Sequence, residues 1–308
     1  MILVFGSLNV DVMIGVDRLP QPGETVLGPG YQLTAGGKGA NQALAASRAG
    51  AWVTMVGSIG TDPLAETAIA DLRESGVDLS HLGRVVEPTG LAAICVDKAG
   101  ENQIVVASGA NRRTAARQVP DALLGPEALL VLQMEVPLAE NWSLVARARA
   151  KGARILLNAA PAGAVERKAL GEIDWLIVNE TEVQQVAGHL GLKVPGSAHD
   201  AARLLAREVG VTVIVTLGAA GAAACLPDGS GLAVPALAIK PVDTVGAGDS
   251  FVGGFAAAID RGLGLAEALR YASVGGALAC LKTGAQPSLP TRAEIEASLP
   301  QLPALKAL

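Results

Sequence analysis

Strand-like apolar runs alternate with helix-period runs along most of this 308-residue chain. Strands are expected at 2–6, 53–59, 128–134, 154–158, 175–179 and 211–217. Helices are expected at 40–49, 63–74, 139–150 and 201–208, and two more begin at Ser250 and Leu265. The strand runs are apolar almost throughout, as in Val211-Thr212-Val213-Ile214-Val215-Thr216-Leu217. A strand apolar on both sides must be covered on both, and strand–helix–strand alternation makes neighbouring strands parallel. The fold class is therefore α/β, a three-layer α/β/α domain with a mainly parallel central sheet, read as a single domain over 1–308. In such sheets ligands sit beyond the carboxyl ends of the strands. Asn9, Asn158, Asn179 and Thr216 fall at or just after strand ends, so one cleft should collect them.

Two segments break the alternation. Short strands at 12–16 and 25–33 flank Pro20-Gln21-Pro22-Gly23, and strands at 91–97 and 102–108 flank a hairpin turn at Lys98-Ala99-Gly100-Glu101. Neither pair has a helix between its members. From about 12–33 and 91–108 they should build a small four-stranded β-sheet lid standing off the main domain. A lid with one apolar face closes on a substrate or pairs with a second copy, so a homodimer through the lid sheet is expected.

Composition narrows the function. The formal charge is −5 and no basic run occurs, which argues against a nucleic-acid partner. Residues 209–227 carry no charge and match a membrane span in length. Their β-branched run ends at Gly218, however, and a second strand-like run follows at 221–226. Two buried strands fit better than a span, so no membrane partner is expected. The N-terminus begins Met1-Ile2-Leu3-Val4-Phe5 with no basic stretch, and Asp11 interrupts the apolar run soon after, so no signal peptide is read and a cytoplasmic location is expected. Cys95, Cys225 and Cys280 lie far apart in apolar runs, and His81, His189 and His199 share no ligand spacing. They form neither a disulfide set nor a metal site.

Chemistry concentrates in Asp243-Thr244-Val245-Gly246-Ala247-Gly248-Asp249-Ser250-Phe251. Two glycines flank an alanine, so the N–H groups of Gly246, Ala247 and Gly248 can turn inward at the start of an apolar helix, an arrangement that binds anions. Asp249 sits on the rim. A carboxylate beside an anion hole can take a proton from a nucleophile while the hole holds the group under attack, the layout for phosphoryl transfer to an alcohol. An Asp-Ser pair opening a helix is also an ordinary N-cap. The dinucleotide fingerprint fails because Phe251 stands at its third glycine. Gly39 takes the Ser/Thr position of a P-loop after Lys38.

A second glycine-rich run, Gly36-Gly37-Lys38-Gly39-Ala40-Asn41-Gln42-Ala43, leads into a helix and offers donors from Lys38 and Asn41. It also has the composition of a hinge. Asn9 and Asp11 share one side of a strand end, where a carboxylate can accept from two neighbouring hydroxyls of a sugar diol; a surface turn is the alternative.

These segments resemble the ribokinase-like (PfkB-type) carbohydrate kinase family over nearly the whole chain. The resemblance is carried by residues 6–11, 36–43, 108–111, 179–182, 216–218, 243–251 and Gly284-Ala285-Gln286-Pro287-Ser288. The 36–43 and 284–288 segments favour its ribose-phosphorylating branch over fructokinase-like or adenosine kinase-like members. Val178 departs from the proline that many relatives carry before the 179–182 element.

The resemblance implies ATP-dependent phosphorylation of D-ribose at its primary O5 hydroxyl, giving ribose 5-phosphate and ADP. By the same resemblance Asp249 is the base, and Gly246, Ala247 and Gly248 form the anion hole. Asn9, Asp11, Gly37, Lys38, Gly39, Ala40, Asn41 and Glu135 hold the sugar with Asp249. Asn179, Thr216, Leu217, Gly218, Ala219, Ala220, Gly221 and Gly248 line the ATP site. Glu182 and Asn179 order the waters of Mg²⁺. A monovalent cation, K⁺, is implied at Asp243, the carbonyls of Val245, Ala279, Lys282 and Gly284, and Ser288. Aromatic residues are only 3% of the chain, so aliphatic side chains are expected to pack the adenine. The rival readings are a kinase for 2-deoxyribose, fructose or adenosine, and a non-catalytic sugar-binding protein.

Overall fold

The computed structural model describes residues 1–194 and 196–308. Strand β1 (Ile2–Phe5) shows how the layers arise. Its four residues are fully buried, with Ile2 and Val4 in one core and Leu3 and Phe5 in the other. Successive strand side chains point to opposite faces, so a wholly apolar strand must be covered twice. Helices Lys38–Arg48, Leu64–Glu74, Ala247–Asp260 and Leu265–Ala279 cover one face. Helices Leu138–Ala150, Glu180–His189 and Ala198–Val209 cover the other.

The remaining strands are β2 (Asn9–Gly15), β3 (Tyr31–Gly36), β4 (Val53–Ile59), β5 (Asp78–Arg84), β6 (Gly90–Val96), β7 (Asn102–Ala107) and β8 (Leu129–Leu132). They continue with β9 (Arg154–Asn158), β10 (Trp175–Asn179), β11 (Thr212–Thr216), β12 (Ala222–Cys225), β13 (Gly231–Val234) and β14 (Lys306–Ala307). Among the described residues the large sheet runs β14-β13-β12-β11-β10-β9-β8-β1-β4-β5. Pairing is parallel from β5 through β11 and antiparallel beyond. The chain leaves β1 towards β4 and β5, then returns on the opposite side of β1 at β8. The carboxyl ends of β1 and β8 are thus a switch point, where a crevice opens.

The expected small sheet is present, ordered β3-β2-β6-β7. Its strand limits differ from expectation. β2 starts at Asn9 rather than 12, so Asn9 and Asp11 lie within the strand, paired with Gly36 and Thr34 of β3. β3 starts at Tyr31 rather than 25, because Gly28-Pro29-Gly30 interrupts and Pro29 has no N–H for a ladder. Residues 209–227 do form two strands, β11 and β12, in antiparallel register. Among the described residues no helix is long and apolar enough to cross a membrane.

The Ala247–Asp260 helix begins three residues before its expected start at Ser250. Gly246, at φ +79°, turns the chain ahead of it in a left-handed conformation that favours glycine. Asp249 therefore lies within the first helical turn.

Candidate active site

Two helix starts meet at the switch point. The Lys38–Arg48 and Ala247–Asp260 helices pack closely because residue 253 is glycine. A Cβ there would lie 2.5 Å from the Ala45 Cβ and 2.7 Å from the Gln42 carbonyl oxygen. This approach brings Asn41 and Gln42 alongside Asp249. Asn41 Nδ2 donates to Asp249 Oδ2 at 2.9 Å, and Gln42 Nε2 donates to Oδ1 at 2.9 Å. Asp249 is 7% exposed. Asn41 Oδ1 is buried with no partner among the described residues, an acceptor left for a ligand's hydroxyl.

The first N–H groups of a helix lack intrahelical acceptors. In the Ala247–Asp260 helix the Ala247 N–H is turned back to the Thr244 carbonyl at 3.3 Å, and that of Ser250 goes to Gly246 at 2.8 Å. The N–H groups of Gly248 and Asp249 are left, at the positive end of the helix dipole. A Cβ at Gly248 would meet no atom of the surrounding structure within 4 Å, so the helix start borders open space on that side.

The other glycine-rich run behaves differently. Lys38 N–H donates to Glu135 Oε2 at 3.0 Å, Gly39 N–H to Ser7 Oγ at 3.2 Å, and Ala40 N–H to the Ser7 carbonyl at 2.9 Å. These three backbone donors are therefore used internally, and the run offers the cleft the side chains of Lys38 and Asn41. Ser7 Oγ also donates to Glu135 Oε2 at 2.5 Å, tying the end of β1 to the residues after β8. Asn9 is fixed by Asn111, whose Nδ2 donates to Asn9 Oδ1 at 2.7 Å while its Oδ1 accepts from the Leu8 N–H at 2.9 Å.

Carboxylates crowd the cleft around one ammonium. Burial, then Glu135 and Asp249, push the Asp11 carboxyl up to about 6. Asp249 holds the Lys38 ammonium above its ordinary value, with Glu135 and Glu182 adding and burial opposing. Burial raises the Glu182 carboxyl and Asp249 adds to it, against the Asn179 N–H and Lys38. Asp11, Lys38, Glu135, Glu182 and Asp249 thus share one field, although they come from five separate parts of the chain.

Asn179 and Thr216 are register neighbours at the ends of β10 and β11. Asn179 Oδ1 caps the following helix by accepting from Thr181 and Glu182 N–H groups at 3.0 and 2.8 Å. Glu182 Oε2 accepts from the Asn179 N–H at 2.9 Å, leaving its other oxygen free of this capping box. Leu217 N–H bonds the Gly221 carbonyl at 2.8 Å, and Gly218, Ala219 and Ala220 form an exposed turn between them.

A third cluster lies against the Gly246 turn. Asp243 Oδ1 accepts from Val245 N–H at 3.0 Å and Oδ2 from Gly284 N–H at 2.8 Å. A Cβ at Gly246 would lie 2.9 Å from the Ala285 Cα. The Val242 N–H bonds the Cys280 carbonyl at 2.8 Å, the Lys282 N–H reaches the Ala279 carbonyl at 3.5 Å, and Ser288 Oγ donates to Ala285 at 2.8 Å. The Val242–Cys280 and Gly284–Asp243 bonds thus join the segment carrying Asp243 and Val245 to the one that runs from Ala279 at its helix end through Lys282 and Gly284 to Ser288.

Sequence reasoning gave no role to Ser7, Gln42, Asn111 or Gln133. Ser7, Gln42 and Asn111 do lie in segments that carry the family resemblance, and that was the signal available; Gln133 lies outside them.

Fold and site define a sugar kinase of the PfkB type. The pfkB family carbohydrate kinase model matches residues 1–292, and the chain belongs to that family. It is 37% identical over 294 residues to a ribokinase of Haemophilus influenzae, covering 94% of this chain and 95% of that one. It is 32% identical over 298 residues to a deoxyribokinase of Salmonella typhimurium, again covering 94% and 95%. The solved structure of an Arabidopsis thaliana ribokinase in complex with ribose and ATP superposes with a TM-score of 0.87 at 30% identity, covering 97% of this chain and 98% of that one.

Proposed function

We propose that this chain transfers the γ-phosphoryl group of ATP to the O5 hydroxyl of D-ribose, giving ribose 5-phosphate and ADP. The observation that carries the reading is the Asp249 carboxylate, held by Asn41 and Gln42 beside the free N–H groups of Gly248 and Asp249. Asp249 accepts the proton of O5 as that oxygen bonds to phosphorus and the bond to the ADP oxygen breaks. The Gly246-Ala247-Gly248 turn and the helix start stabilise the negative charge on the group in transfer. The Ala247 N–H is partly engaged by Thr244, which leaves the Gly248 and Asp249 N–H groups for that role.

The sugar lies against Asn9, Asp11, Gly37, Lys38, Gly39, Ala40, Asn41 and Glu135. Asp11 takes the diol, and the unpartnered Asn41 Oδ1 accepts a hydroxyl. The nucleotide runs along Asn179 and Thr216 to Gly221. Asn179 and Glu182 fit the water shell of Mg²⁺, which supplies charge neutralisation to the phosphates. Glu182 keeps one oxygen outside its capping box, and the described residues hold no group of three His, Cys, Asp or Glu that could bind a metal directly. Asp243, Val245, Ala279, Lys282, Gly284 and Ser288 suit a K⁺ that stiffens the Gly246 turn, since their two loops already converge there.

The small sheet acts as a lid and as a dimer face. Ile104, Val105 and Val106 on β7 are 53%, 71% and 49% exposed, an apolar edge that a second copy would cover.

Similarity to a deoxyribokinase makes 2-deoxyribose the second reading. The test is ADP release with Mg-ATP and K⁺ on D-ribose, 2-deoxyribose, fructose and adenosine. A large preference for ribose is expected. Preference for another acceptor moves the substrate, and no turnover with any of them contradicts the kinase reading.

A further inference from the structure

We infer that Gln42 is a positioning residue for the Asp249 carboxylate, held in its donating orientation by Gln133 and Asn158. This rests on Asp249 being the base. Gln42 is 0% exposed. Its Nε2 donates to Asp249 Oδ1 and to Asn158 Oδ1, both at 2.9 Å, which uses both hydrogens of a primary amide. Its Oε1 accepts from Gln133 Nε2 at 2.8 Å. Turning this amide over would set Oε1 against two acceptor oxygens and Nε2 against a donor. Three partners therefore fix which way Gln42 points.

Asn158 is itself anchored, its Nδ2 donating to the Ile177 carbonyl at 3.0 Å. At Gln133 the backbone carbonyl accepts from Asn141 Nδ2 at 2.6 Å, while the side-chain Oε1 has no partner among the described residues. Through Gln42, Asp249 Oδ1 is tied to the carboxyl ends of β8, β9 and β10, the sheet edge that forms the crevice. The opposite oxygen is held by Asn41, which faces the sugar. One amide donor on each oxygen fixes the plane of the carboxylate, since rotation about Cβ–Cγ breaks both bonds. Both donors are neutral amides, and Lys38, the ammonium that shares this field, makes neither of these two bonds. Gln42 has no exposed surface with which to reach substrate, so its effect passes through Asp249.

The test is a double-mutant cycle of Gln42→Met with Asp249→Asn, reading kcat and, by calorimetry, ribose Kd. Alone, Gln42→Met should lower kcat roughly 10-fold to 10²-fold, the scale of a small misplacement of a reacting group. Ribose Kd should stay within about twofold. In the Asp249→Asn background the same substitution should change kcat by less than about twofold, because the group it positions is already gone. Gln133→Met, which keeps Gln42 but loosens it, should give a smaller loss confined to kcat. It serves as the readout if Gln42→Met does not fold. An equal fold-loss in both backgrounds, or wild-type kcat in Gln42→Met or in Gln133→Met, overturns the inference. Wild-type turnover in Asp249→Asn alone is a separate result that removes the base reading instead.

Discussion

Lowering the pH from 7.5 to 5 should weaken ribose binding about tenfold, through Asp11. Its carboxyl titrates at about 6, raised first by burial and then by Glu135 and Asp249. The proposed contact needs the ionised form, which accepts hydrogen bonds from the sugar diol. At pH 5 about one molecule in eleven retains it, and a tenfold loss corresponds to about 1.4 kcal/mol. The sign follows from linkage. A ligand that donates to the carboxylate favours its ionised form, so binding expels a proton at low pH and weakens as pH falls through about 6.

Folding responds in the opposite sense. The folded value lies above the unfolded one, so ionised Asp11 destabilises the fold above about pH 6. That cost is relieved as pH falls towards about 4. The assay is calorimetry on nucleotide-free protein, because a terminal phosphate titrates in the same range. Lys38, Glu135, Glu182 and Asp249 face the same cleft, so Asp11→Asn is the control: its Kd should be weak and nearly flat with pH. A wild-type Kd constant within twofold over this range, or the same slope in Asp11→Asn, refutes the reasoning.

Replacing K⁺ by Na⁺ should lower kcat several-fold, read from ADP release at constant ionic strength; equal rates in the two salts would remove the cation from the Asp243 cluster. Light scattering should give twice the 31.0 kDa chain mass, and Val105→Lys should shift the protein towards monomer. A wild-type monomer at assay concentration counts against pairing through the small sheet.

What was legible in the sequence followed burial. The centre of β11 is apolar because helices cover both of its faces, and the run Val213-Ile214-Val215 announces that. β5, at the sheet edge, mixes Asp78, Ser80 and His81 with two leucines and gave no strand signal. The start of the Ala247–Asp260 helix was misjudged because Asp-Ser resembles a cap, whereas the positive φ of Gly246 sets the turn.

The site was legible where chemistry is local. Asp249 beside Gly246-Ala247-Gly248 stands out in a single stretch of chain. Gln42 did not, because its partner Asp249 lies 207 positions away and only packing at Gly253 brings them together. Asn111 fixes Asn9 and Leu8 from about a hundred residues downstream, and no spacing rule connects them. The capping box between Asn179 and Glu182 shows one motif filling two roles, since the helix start it stabilises also carries the residues proposed for Mg²⁺ waters.

The most direct test is formation of ribose 5-phosphate by Asp249→Asn beside the wild type, with ribose Kd measured on both. The account predicts a fall in kcat of roughly 10²–10⁴, the range for losing a general base, with ribose still bound. Turnover near that of the wild type would contradict it.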